Sequence, residues 1–170
     1  VSQTPYPKQL NKADFVDAFG SIYEHSTWVA EAVYPSMTPG IDAQSMAEAM
    51  RLVVEEASDV LKLELLRAHP DLAGRLSLAE LTESSRSEQT GAGLDQCTPA
   101  ELAEFQDLNN AYLEKFGFPF IFAVKGFHRI DILEAFRVRV HHSREEEFKT
   151  AIEQVHRIAR LRLETIANEC

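Results

Sequence analysis

Apolar residues recur at intervals of three and four along most of the chain, the period of helices with one buried face. Residues 11–34, NKADFVDAFGSIYEHSTWVAEAVY, predict one or two helices ahead of Pro35. A turn-rich break, PSMTPGID, separates them from AQSMAEAMRLVVEEA (43–57) and SDVLKLELLRAH (58–69), the second with Ser58 as its N-cap. TPAELAEFQDLNNAYLEKFG (98–117) is fully punctuated. Thr98 and Glu101 have capping-box spacing, Pro99 suits the first turn and Gly117 suits the end. SREEEFKTAIEQVHRIARLRLETIANE (143–169) predicts the longest helix, with Ser143 and Glu146 as its capping box. No period-two strand pattern, internal repeat or low-complexity tract interrupts this pattern. The expected fold is all-α, a single compact helical-bundle domain over residues 1–170. One stretch departs from the rule: residues 76–98 are polar, glycine-bearing and non-periodic. In a small helical domain so long a non-periodic stretch is often functional.

Composition narrows the function classes. The chain carries 27 acidic and 17 basic residues, a formal charge of -10. That excludes the basic footprint of a nucleic-acid binder. The longest apolar run, FPFIFAV (118–124), is far too short to span a bilayer. Two cysteines, Cys97 and Cys170, do not make a disulfide framework and suit a reducing compartment. The first residues, VSQTPYPKQL, are polar and proline-broken, unlike a signal peptide. The expectation is a cytoplasmic protein with no membrane and no nucleic-acid partner.

Four places carry more chemistry than a helical core needs. His69 shares a helical face with Leu61, Leu65 and Leu66, and Pro70 disfavours helix at that residue. An imidazole at the end of an apolar stripe suits general acid–base work. It equally suits a partly buried histidine bonded to a carbonyl. Ser85 and Glu88 have capping-box spacing, which predicts a helix start; Ser85, Glu88 and Gln89 also suit a polar ligand. In the last helix Phe148, Ile152, Val155, Ala159 and Ile166 define an apolar face at 100° per residue, and Arg162 falls inside it. Arg157 and Arg160 fall on the polar side. A buried guanidinium requires an anionic partner, a protein carboxylate or a ligand carboxylate. In KFGFPFIFAVKG (115–126), Pro119 disturbs the local ladder, which either leaves the amides of Phe120 to Val124 for a small molecule or marks a buried connector.

A metal centre fits poorly. Glu153-x-x-His156 has di-iron spacing, but no second such pair exists in the chain. The double histidine at His141 reads as a solvated helix start. No metal is expected.

The same places coincide with a family pattern. The chain resembles 2-oxo-4-hydroxy-4-carboxy-5-ureidoimidazoline (OHCU) decarboxylases. The resemblance rests on HPDLAGR (69–75), LTESSRSEQTGAGLD (81–95), YLEKFGFPFIFAVKG (112–126) and RIARLRL (157–163), in family order and at family-like spacing. One departure is visible: Arg86 follows Ser85 where the family often has threonine. The resemblance implies a cofactor-free carboxy-lyase that converts OHCU to (S)-allantoin in urate breakdown, all-α and homodimeric. By the same resemblance His69, Glu88 and Arg162 correspond to the catalytic groups. Pro70, Ser85, Gln89 and the backbone of Phe120, Ile121, Phe122, Ala123 and Val124 correspond to substrate contacts. A non-catalytic ureide-binding module and a di-iron helical protein are the competing readings.

Overall fold

A computed structural model describes residues 3–72 and 82–169. Residues 73–81, which include the end of HPDLAGR and the start of the polar stretch, lie outside the described residues, as does Cys170. Among the described residues the fold is all-α, with eight α-helices. They are α1 (Lys12–Phe19), α2 (Trp28–Val33), α3 (Ala43–Glu55), α4 (Asp59–Ala68), α5 (Glu83–Gly91), α6 (Pro99–Phe116), α7 (Arg129–Arg139) and α8 (Arg144–Glu169). No described helix is long and apolar enough to cross a membrane.

Two compact units are present: Val1–Ala68 with Val155–Cys170, and His69–Gln154. In the first unit, caps set the helix starts. Asn11 accepts from the Asp14 amide, Asp42 from that of Ser45, and Ser58 from that of Leu61. Each satisfies a backbone donor that the helix leaves open. The core gathers Phe15 and Phe19 of α1, Tyr6 ahead of it, Met46, Met50 and Val54 of α3, and Leu65 and Leu66 of α4. Tyr6 meets Phe15 edge-on at 5.4 Å.

The second unit is built on aromatic residues. Tyr112 and Phe116 of α6, Phe118 and Phe120 beyond it, and Phe136 of α7 are all fully buried. Each contributes roughly 1.5–3 kcal/mol of burial free energy. The Phe120 and Phe136 rings lie parallel at 3.8 Å. The α6 capping box of Thr98 and Glu101 forms as expected, and Gly117 closes the helix at φ 78°, a left-handed conformation that favours glycine. Ser143 and Glu146 exchange bonds at the start of α8.

One local reading needs correction and one helix is added. Inside the non-periodic stretch α5 and a 3-10 turn over Leu94–Gln96 form. The helix there starts at Glu83, because Thr82 accepts from the Ser85 amide and caps it three residues early. Ser85 is therefore a buried first-turn residue and not the cap. Helix α7 is an addition to the sequence reading. Its buried positions Ile132, Leu133 and Phe136 are helical in spacing, but exposed Ile130 and Val138 blur the stripe.

Candidate active site

His69 directly follows the last residue of α4, as Pro70 requires. It is half-buried, and its Nδ1 lies 3.3 Å from the Pro70 carbonyl oxygen. A carbonyl only accepts, so Nδ1 carries the proton and donates. In the neutral ring the lone pair then sits on Nε2, which is buried. That tautomer is the one a general base needs, and protonation of Nε2 converts it to a general acid.

The chain after His69 is tied down by side chains of its own unit. Gln89 Nε2 donates to the Asp71 carbonyl at 3.3 Å, and Asn109 Nδ2 donates to the Leu72 carbonyl at 2.9 Å. The first bond brings the histidine segment beside α5. That helix is unusual in what it buries. Ser85 and Gln89, four residues apart and on one face, are buried, and Glu88 beside them is half-buried. A helix normally buries apolar groups, and a buried polar face must be matched by polar partners. Sequence expectations that single out Ser85, Glu88 and Gln89 thus fall on one face of one helix.

The segment from Phe120 to Val124 supplies a different kind of donor. It forms no helix or strand, and Phe120, Ile121, Ala123 and Val124 are buried. The Ala123 amide donates to Gln154 Oε1 at 2.8 Å, so it is already engaged. The amides of Phe120, Ile121, Phe122 and Val124 meet no acceptor among the described residues. Buried backbone donors are almost always paired, so this run of open amides is a candidate place for a ligand or water.

Arg162 belongs to the other unit. It is 6% exposed, as its place on the α8 apolar face predicts, whereas Arg157 and Arg160 are exposed. Its Nη1 lies 3.3 Å from the Ser21 and Ile22 carbonyls, and its Nη2 lies 3.4 Å from Glu24 Oε2. Glu24 is buried too. The protein carboxylate that the sequence left open as a partner is therefore present.

His156 is accounted for inside the same unit. Its Nδ1 meets the Tyr23 hydroxyl at 2.7 Å and its Nε2 meets Glu55 at 2.8 Å. Glu153 is exposed. Both nitrogens of the one histidine with di-iron spacing are thus occupied by protein groups.

The sequence reading missed a buried cluster in the second unit. Glu147, fully buried, accepts from Arg139 Nε at 3.0 Å, from Arg139 Nη2 at 2.8 Å and from the Tyr112 hydroxyl. Burial, reinforced by that bond to Glu147, pushes the Tyr112 phenol well above its ordinary range, so it stays a donor. Arg139 Nη1 also donates to the Ile121 carbonyl at 2.8 Å, and its Cζ lies over the Phe120 ring, 4.4 Å from the centroid.

The protein is all-α, and an imidazole at a helix end, a helix with a buried polar face and a run of open amides make a candidate site for a small polar ligand. A family model described as OHCU decarboxylase matches residues 8–164, and the chain belongs to that family. It is 47% identical over 162 residues to the 2-oxo-4-hydroxy-4-carboxy-5-ureidoimidazoline decarboxylase of Halalkalicoccus jeotgali, covering 94% of this chain and 90% of that one. The enzyme of the same name from Haloferax volcanii is 47% identical over 159 residues, covering 92% of each chain. The fold matches a crystal structure of (S)-allantoin synthase with a TM-score of 0.73 and 37% identity, over 92% of this chain and 50% of that longer one.

Proposed function

We propose that this chain decarboxylates OHCU to (S)-allantoin in urate breakdown. Family membership supports the reaction. The observation that carries it to particular residues is the buried polar face of α5 tied to the histidine segment by the Gln89–Asp71 bond. The family match runs through both compact units, which supports treating residues 1–170 as one functional domain.

The chemistry needs little beyond positioning. The substrate ring carries a carboxylate and a hydroxyl on one carbon, beside an imine carbon. When the bond to the carboxylate breaks, CO2 leaves and its electron pair forms a carbon–carbon double bond. The imine π electrons move to nitrogen, which takes a proton. The ring is its own electron sink, so no cofactor is required. The resulting enol then loses its hydroxyl proton and gains one at the former imine carbon. Delivery of that proton from one face gives a single enantiomer.

His69 and Glu88 are the proposed proton-transfer groups at the hydroxyl and the ring. Arg162 is the proposed partner of the substrate anion, its planar fork matching a carboxylate. Pro70, Ser85 and Gln89 line the ligand. The open amides of Phe120, Ile121, Phe122 and Val124 receive its carbonyl oxygens, with Ala123 held among them by Gln154. We further propose a homodimer, on the family resemblance. A cytoplasmic location accords with the free thiol of Cys97.

The test is to supply freshly generated OHCU and follow allantoin by circular dichroism. Rapid growth of the (S) signal, unchanged after dialysis against EDTA, is expected. Ligand binding without turnover would make the chain a ureide-binding module. Activity lost to EDTA and restored by iron, manganese or zinc would overturn the cofactor-free reaction.

A further inference from the structure

The open amides beyond Pro119 raise the question of what aims them. The segment has two soft torsions per residue and no helix or ladder to fix them. Two side chains from the helices that follow grip it at consecutive peptide units. The first unit joins Ile121 to Phe122, and its carbonyl oxygen accepts from Arg139 Nη1 at 2.8 Å. The next joins Phe122 to Ala123, and its amide donates to Gln154 Oε1 at 2.8 Å. All peptide bonds described are trans. In a trans unit the C=O and N–H point in opposite directions. With the Ile121 oxygen turned to Arg139, the Phe122 N–H is turned away from it.

The Arg139 bond also has an electronic consequence. A guanidinium donating to a carbonyl draws electron density through the conjugated peptide and makes the N–H of that unit a stronger donor. The positive charge is fixed by buried Glu147, which itself accepts from Tyr112. Arg139 is therefore held in one position, with its Cζ over the Phe120 ring.

We propose that Arg139 and Gln154 are positioning residues that aim and polarise the Phe122 amide, making it the principal backbone donor to the substrate's carbonyl or carboxylate oxygen. This inference rests on the proposed use of residues 120–124 by the ligand. Neither side chain touches substrate; each acts through one peptide unit. The pairing of a charged donor on one unit with a neutral acceptor on the next gives the segment a single orientation.

The variants Arg139→Lys and Gln154→Leu test this. Lysine keeps the charge beside Glu147 but cannot reach Glu147 and Ile121 together as a planar fork does. Leucine removes the acceptor for Ala123. Steady-state kinetics with OHCU should show KM raised roughly tenfold in each, the worth of one charge-assisted bond, with kcat changed much less. In 15N-correlated spectra of the unliganded protein, the Phe122 amide proton should move upfield in Arg139→Lys. Its response to added (S)-allantoin should shrink in both variants. Lower melting temperatures with wild-type KM and an unmoved Phe122 amide would overturn the proposal and leave both side chains as scaffold. A wild-type protein that fails to turn over OHCU would instead sink the reading beneath it, while the unliganded Phe122 shift still tests the polarisation.

Discussion

Among the described residues two arginines are buried, and their partners differ. Arg139 in the second unit sits in a complete short-range setting, with Glu147 at 2.8–3.1 Å on two nitrogens and the Ile121 carbonyl at 2.8 Å. Arg162 in the first unit has Glu24 and two carbonyls at 3.3–3.4 Å, the long edge of hydrogen-bond distance. Charge-assisted bonds to a committed partner are normally 2.7–2.9 Å. The Arg139 bonds to Glu147 and Ile121 are thus shorter than the Arg162 bonds to Glu24, Ser21 and Ile22. A tight grip suits a fixed clamp, and Arg162 is proposed to exchange its Glu24 contact in part for a substrate carboxylate.

The largest effect should come from cutting the tight pair. Arg139→Gln leaves Glu147 buried without its cation, and the expected loss is about 3–5 kcal/mol of stability in urea unfolding. A loss under 1 kcal/mol would show that the short distances do not reflect a strong interaction. Arg162→Gln should reverse the emphasis. Its stability loss should be smaller than that of Arg139→Gln if its charge serves the substrate. Its kcat/KM for OHCU should fall about a hundredfold, near the cost of one lost buried charge-assisted contact. Arg162→Lys should recover only part of that. Equal stability losses in the two glutamine variants, with normal kinetics for Arg162→Gln, would erase the distinction and make both arginines scaffold.

The smallest effect lies at the surface. Glu101 completes the α6 cap and meets Arg129 at 3.0 Å. The Thr98 backbone bond first, and then Arg129, hold its carboxyl below the ordinary range. A depressed folded-state value gives stability that is present above the unfolded value and lost as pH falls through the folded one. Glu101→Gln should therefore be slightly less stable than wild type at pH 7. The gap should close as pH drops below the ordinary carboxylate range. A gap that persists in acid would assign the effect to packing.

The two arginines also mark what the sequence reveals. Arg162 was legible because α8 is long and its apolar face is regular, so one cation out of place stands out. Arg139 was not, because α7 is short and exposes Ile130 and Val138, so its buried stripe is ambiguous. Its partner Glu147 lies among Glu145 and Glu146, and nothing local tells which of the three turns inward. The cap of α5 was misread for a related reason. Thr82 and Ser85 both have capping chemistry three residues before a polar side chain, and only the fold chooses Thr82. The stops at Pro70 and Gly117 and the caps at Ser58, Thr98 and Ser143 were readable because each rests on one residue's own geometry. The open amides lay between these cases: Pro119 pointed to them, but the Gln154 acceptor that removes Ala123 from the set comes from 31 residues away.

The central claim is that His69 directs a proton in a stereospecific decarboxylation. The most direct measurement compares wild type and His69→Asn on freshly generated OHCU, following (S)-allantoin by circular dichroism and folding by the far-ultraviolet spectrum. His69 ends a helix and the substitution changes little volume, so the variant should fold. Its rate of (S)-allantoin formation should fall by roughly two to four orders of magnitude, the usual loss for a general acid–base. A folded His69→Asn that forms (S)-allantoin at close to the wild-type rate would contradict the account.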